Sequence, residues 1–279
     1  MSRGVVAVLI ATGLLASGCG GSEPARSGTV AANQSATATA GPFPSPSVAA
    51  PTPAGPAAGQ KAGSGAKARW DKPSGQIQVR DVSLVARSKV ARIAVYRTAT
   101  DGSPQQTLAS PVATGGPLVF LVQGRQSDRL RVLLPIRPNQ TQGWVKASDV
   151  ALSELDYRIT VSAKAHRLRL YKAGRLVMNE PVGLGKGATP TPGGVYYLKE
   201  LLKPKNPQGS YGPYAYGLSG YSDVLNEFLG GDGQIGIHGT NDPSSVGKNV
   251  SHGCIRMKNA AITKLARMLP LGVPVQMIA

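Results

Sequence analysis

Residues 20–69 set the first limit on what this chain can fold into. They are Ala, Gly, Ser, Thr and Pro with almost no large apolar side chain. Such a stretch cannot bury enough surface to offset chain entropy, so it is expected to be a flexible linker. Any core must come from residues 70 onward, a length sufficient for one or two domains. In a chain of 279 residues, Gly 35 and Pro 22 against an aromatic content of 5% point to a β-rich, turn-rich fold.

The local patterns agree. Ile93 and Val95 alternate, Leu118-Val119-Phe120-Leu121-Val122 is a buried-strand run, and Leu130, Val132 and Leu134 alternate, with turn signals at Asp101-Gly102 and Gly115-Gly116. Farther on, Gln234-Ile235-Gly236-Ile237-His238 alternates as a short strand, and Gly239 ends it. Asn241-Asp242-Pro243-Ser244 then reads as a turn. After Cys254 the period changes: Ile262, Leu265, Ala266 and Leu269 are spaced for one face of a helix. Asn259 is the expected N-cap, and Pro270 with Gly272 the stop.

This change of period brackets the chain's chemistry. His238 to Met257 holds two of the 3 histidines, His238 and His252, and Cys254, one of 2 cysteines. A thiol becomes a useful nucleophile when a neighbouring base or cation assists it, so Cys with His is minimal equipment for acyl transfer. His252 is too near in sequence to be an obvious base. His238 leaves a strand, Cys254 lies on a loop leading into a helix, and the intervening loop can return thiol to imidazole.

His238-Gly239-Thr240 followed by Ser251-His252-Gly253-Cys254-Ile255-Arg256 resembles the signature of the YkuD-type L,D-transpeptidases, which remodel peptidoglycan. Tyr157 to Val161, the hairpin around Lys172-Ala173-Gly174, Thr189 to Tyr197 and Pro270 to Val275 are similar to the same domain. The resemblance implies a mainly β, sandwich-like catalytic domain over 155–279 with a C-terminal helix. It implies Cys254 as nucleophile, His238 as base, and the Gly239 carbonyl as the group orienting His238. Backbone N–H groups around Gly253 and Cys254 would form an oxyanion hole. His252 would shape the site, and Ser251 and Arg256 would meet substrate. Tyr211 to Gly217 is a Tyr/Gly-rich loop, either one that covers an extended ligand, with Tyr214 as a substrate contact, or a surface loop with ordinary exposed tyrosines. The implied partners are peptidoglycan stem peptides, with carbapenem β-lactams as covalent inhibitors, and no cofactor. A carboxypeptidase or cysteine peptidase using the same pair, attachment of other proteins to the same donor, and a non-catalytic wall-binding lipoprotein remain alternatives.

The N-terminus adds a location. Met1-Ser2-Arg3 precedes an uncharged segment, Gly4 to Gly18, shorter than the roughly 20 residues that span a bilayer. Ala16-Ser17-Gly18-Cys19 resembles a lipoprotein cleavage site, making residues 1–19 a signal peptide and Cys19 a lipidation site. That leaves Cys254 without a disulfide partner, and a lone exported thiol is a liability unless it is buried or does chemistry. The protein is then expected to be anchored to the cell membrane, facing the wall.

Residues 70–154 are expected to be a small β domain, since Gly143 to Val150 resembles the end of a bacterial SH3-like module. With neither His nor Cys, it carries no catalytic constellation. Net charge is +17, spread along the chain rather than clustered with aromatics, so no nucleic-acid partner is expected. Two histidines and one thiol are a weak zinc set, so no metal is expected either. His166, at the start of a strand, is set aside as structural.

Overall fold

The computed structural model describes residues 79–278 except Leu229. The expected signal peptide with Cys19 and the 20–69 linker lie outside the described residues. Within them the fold is mainly β.

The alternating segments near the start become a five-stranded antiparallel sheet. Its order is Gln142–Lys146, Arg129–Leu133, Val119–Gln126, Ser83–Ser88, Val150–Leu155. The ribbon of Arg92–Val95 with Gln106–Ala109 completes this part. Ala86, Ile93, Val95, Phe120, Leu130, Val132 and Val145 form its core. Each large side chain buried there is worth about 1.5–3 kcal/mol in transfer free energy.

The rest is built on an eight-stranded mixed sheet. Its order is Arg175–Pro181, Arg167–Lys172, Tyr157–Ser162, Pro274–Ile278, Gly194–Leu202, Ala215–Tyr221, Gln234–His238, Ile255–Arg256. The hairpin expected at Lys172-Ala173-Gly174 is present, turning through Ala173 and Gly174, both at positive φ. Two strand pairs are parallel: Tyr157–Ser162 with Pro274–Ile278, and Gln234–His238 with Ile255–Arg256. Ile159, Leu168, Leu170, Tyr196, Leu198, Tyr216 and Ile237 pack against Ile262 and Leu265 of the helix Asn259–Met268.

The helix starts differently from expectation. Lys258 occupies the N-cap position with no side-chain cap, and Asn259 is the first helical residue. The Asn259 side chain accepts from Thr240 N–H at 2.8 Å instead. It therefore caps the loop that follows His238, not its own helix.

The two sheets share a layer of side chains. Val85, Val119, Leu121 and Leu133 from the first pack against Val195 and Tyr197 from the second. Around this layer, Arg158 pairs with Asp81 at 2.9 Å, and Tyr221 donates to the Pro135 carbonyl at 2.8 Å. Asn139 both accepts from Tyr221 N–H at 2.9 Å and donates to the Tyr221 carbonyl at 2.7 Å.

Candidate active site

The strand Gln234–His238 carries Ile235 and Ile237 into the core and delivers His238 at its end, 5% exposed. Its parallel neighbour Ile255–Arg256 pairs Ile237 with Ile255 and His238 with Arg256, bringing Cys254 to the Gly236 backbone. This short pairing closes the long loop between imidazole and thiol. Met257 N–H to the His238 carbonyl, 2.8 Å, extends it by one step.

The cysteine loop is held from within and from behind. Ser251 Oγ donates to the Cys254 carbonyl at 2.6 Å and accepts from Gly253 N–H at 3.2 Å. Gly253 sits at φ +118, a backbone shape that side chains oppose although the space around it is ordinary. Behind the loop, Lys186 N–H and the Thr189 hydroxyl both reach the Ser251 carbonyl, at 3.0 and 3.3 Å. Lys186 and Thr189 thus buttress the loop.

His238, Ser251, His252, Cys254 and Arg256 line one pocket with Ser210, Tyr211 and Phe228. His238 Nδ1 lies 2.6 Å from the Gly239 carbonyl. A carbonyl can only accept, so Nδ1 carries the proton and Nε2 keeps its lone pair. Burial lowers the His238 pKa to about 4, helped by the Arg256 charge and opposed by the Gly239 bond. Burial also raises the Cys254 thiol, against the Gly236 backbone hydrogen bond and Arg256, which favour thiolate. Both shifts favour the uncharged forms, thiol and imidazole, over a thiolate–imidazolium pair.

Arg256 is the cation of the pocket. Its backbone is fixed by paired hydrogen bonds with Gly183, 2.8 and 2.9 Å, while its Nε is buried with no partner among the described residues. Asp242 accepts from the Ser244 backbone and hydroxyl, at 3.1 and 2.6 Å. Among the described residues no carboxylate forms an ion pair with Arg256.

Several expected residues hold other positions. The Ser251 hydroxyl is engaged inside the loop, which makes it a brace for Cys254 rather than a substrate contact. Gly253 N–H is engaged by Ser251, leaving Cys254 N–H as the other backbone donor beside the thiol. Tyr214 packs against the hydrophobic core, and its carbonyl receives Gly239 N–H at 3.2 Å. Tyr211 lines the pocket in its stead, with its ring 4.8 Å from that of His238. Burial, with Cys254 nearby, pushes the Tyr211 phenol up to about 12. His252 is exposed and its ring lies 4.8 Å from that of Phe228. Burial, Lys186 and Arg256 all hold the His252 pKa below its ordinary value. His166 lies away from the pocket, 2.9 Å from Asn249 Oδ1. Among the described residues no group of His, Cys, Asp and Glu could hold a metal ion.

Residues 156–277 match the family model of the YkuD L,D-transpeptidase catalytic domain. A Bacillus licheniformis protein named as the L,D-transpeptidase YkuD is 37% identical over 152 residues, covering 52% of this chain and 84% of that one. The chain belongs to the YkuD-type L,D-transpeptidase family. The Bacillus subtilis protein of the same name is 34% identical over 149 residues, covering 51% of this chain and 82% of its own. Among solved structures, L,D-transpeptidase 3 from Mycobacterium tuberculosis, in complex with a faropenem-derived adduct, is similar at 17% identity with a TM-score of 0.37. That match covers 52% of this chain and 76% of the other. Membership of this family makes the chain an enzyme of the transpeptidase type.

Proposed function

We propose that the chain is a cysteine L,D-transpeptidase that joins peptidoglycan stems between their third residues. The observation carrying this reading is the His238 ring, whose Nδ1 is committed to the Gly239 carbonyl, in a residue that lines one pocket with Cys254. Cys254 Sγ attacks the carbonyl of the third, L-centre residue of a tetrapeptide stem as its proton passes to His238 Nε2. The tetrahedral oxyanion takes the Cys254 N–H, a type of donor worth about 3 kcal/mol in acyl-transfer sites. Collapse breaks the bond to the terminal D-Ala, whose amine leaves with the proton from His238, and a thioester remains. The side-chain amine of a second stem attacks the thioester, giving its proton to His238. That proton returns to sulfur as the amide forms and the thiol departs.

Arg256 is the anchor for a donor carboxylate. It lines the pocket, forms no ion pair among the described residues, and carries a planar guanidinium suited to two-point binding. Tyr211 and Phe228 supply apolar walls. The lipid anchor at Cys19 and a position facing the wall belong to the same proposal, on the strength of the N-terminal sequence.

A carbapenem tests the chemistry. Incubation with purified protein is expected to add one drug mass to the intact chain, on the peptide carrying Cys254. Muropeptide donors should then yield dimers linked between third residues. Trimmed tripeptides without dimers would instead assign water as the acceptor, and absence of any adduct would overturn the nucleophile assignment.

A further inference from the structure

The loop 134–141 of the first sheet reaches across to the second. Its Arg137 donates to three main-chain carbonyls: Nη1 to Ser222 at 2.7 Å, and Nη2 to Leu225 at 2.9 Å and Asp232 at 2.8 Å. The guanidinium also lies 4.8 Å from the Tyr221 ring centroid, while Asn139 grips the Tyr221 backbone on both sides. All three carbonyls belong to residues 222–233, a loop whose neck is closed by Ser222 N–H to the Gly233 carbonyl at 2.8 Å.

The far end of that loop is Phe228. Phe228 and Gly231 exchange two backbone hydrogen bonds, both 2.9 Å, and the Phe228 ring stands 4.8 Å from the ring of His252 inside the pocket. The neck is shaped for the arginine. Gly233 has φ +74, and a Cβ there would lie 2.9 Å from Arg137 Nη2 and collide with the Leu225 carbonyl. A planar fork suits three carbonyls in one small space, whereas lysine is a point charge on a flexible stem.

We propose that Arg137 is a positioning residue for the Cys254 pocket: it fixes the neck of residues 222–233 and so holds Phe228 as the wall against which a stem peptide packs. The small N-terminal β domain then acts as a working part of the site and not as a spacer. The substrate class follows from the transpeptidase reading above; the clamp itself follows from the contacts.

A double-mutant cycle of R137A and F228A tests it, with R137K as the milder variant should R137A fold poorly. In R137A the KM for a stem-peptide donor should rise about tenfold with kcat nearly unchanged. Alkylation of Cys254 by iodoacetamide should become about threefold faster as the wall loosens. In the F228A background, adding R137A should change neither quantity, because the arginine acts through the ring. A purely structural role predicts a lowered Tm and equal effects of R137A in both backgrounds, and that result overturns the proposal. So does an alkylation rate in R137A equal to wild type. Iodoacetamide reads the pocket without assuming its reaction. Absence of peptide turnover in the wild type would therefore refute the activity, while the alkylation cycle still decides the clamp.

Discussion

Burial of His238 ties the stability of the fold to pH. The imidazole has an ordinary pKa of 6.5 and is lowered to about 4 in the folded protein, chiefly by loss of water. In this window the unfolded chain holds more protons than the folded one, so stability rises with pH. The His238 contribution is fully present above 6.5, declines as pH falls, and is exhausted below about 4. The whole shift corresponds to about 3 kcal/mol, of which about 2 kcal/mol is lost between roughly pH 7 and pH 5. His238→Gln removes the titration and keeps an amide able to donate to the Gly239 carbonyl. Urea unfolding of both proteins across this range isolates the contribution, because the groups distant from residue 238 titrate alike in each and cancel. The wild type should lose about 2 kcal/mol more than the variant on going to about pH 5. Parallel stability curves would refute the claim that His238 is buried neutral.

The same electrostatics predict that the acidic limb of kcat/KM lies well below the ordinary histidine value, and that thiolate absorbance is missing at neutral pH; an ultraviolet pH titration checks the second point. Cys254→Ser should abolish the carbapenem adduct by intact mass while leaving the Tm unchanged, since a hydroxyl is far less nucleophilic with this base. Arg256→Lys should raise the donor KM about tenfold at unchanged Tm, because lysine keeps the charge and loses the fork; equal losses toward peptide and carbapenem with a lowered Tm would show a brace instead. Ser251→Ala breaks two hydrogen bonds of the cysteine loop and should lower Tm by roughly 5 °C and slow acylation, as read by a thermal melt beside a mass time course.

Where periodicity spoke, the sequence was legible. The alternation of Ile235 and Ile237 is the strand that delivers His238, and the spacing of Ile262 and Leu265 is the helix behind it. The orienting bond from His238 to Gly239 concerns adjacent residues and followed from the family resemblance. Contacts that depend on distant pairing were not readable. Tyr211 and Tyr214 stand three apart in one Gly-rich loop, and only the path of that loop sends the first into the pocket and the second to the core. Ser251 was seen as a polar neighbour of the nucleophile, but its hydroxyl faces inward because Gly253 turns the chain back over it. Phe228 left one weak trace, an aromatic among Gly230, Gly231 and Gly233. Arg137 left none, since nothing in a loop 85 residues away announces which carbonyls it will meet.

The strand Pro274–Ile278 stands in the middle of the eight-stranded sheet, parallel to Tyr157–Ser162 on one side and antiparallel to Gly194–Leu202 on the other. During synthesis, the two halves of that sheet stay unjoined until these residues have emerged, and Val275 must then pair with Ile159, far back in the chain, a topology that folds slowly. The strands of the first sheet all lie within residues 83–155 and pair only with one another. Its pairing can therefore be complete while the second sheet is still being made. The thiol and the imidazole both belong to one half of the eight-stranded sheet, and the keystone strand Pro274–Ile278 joins that half to the other.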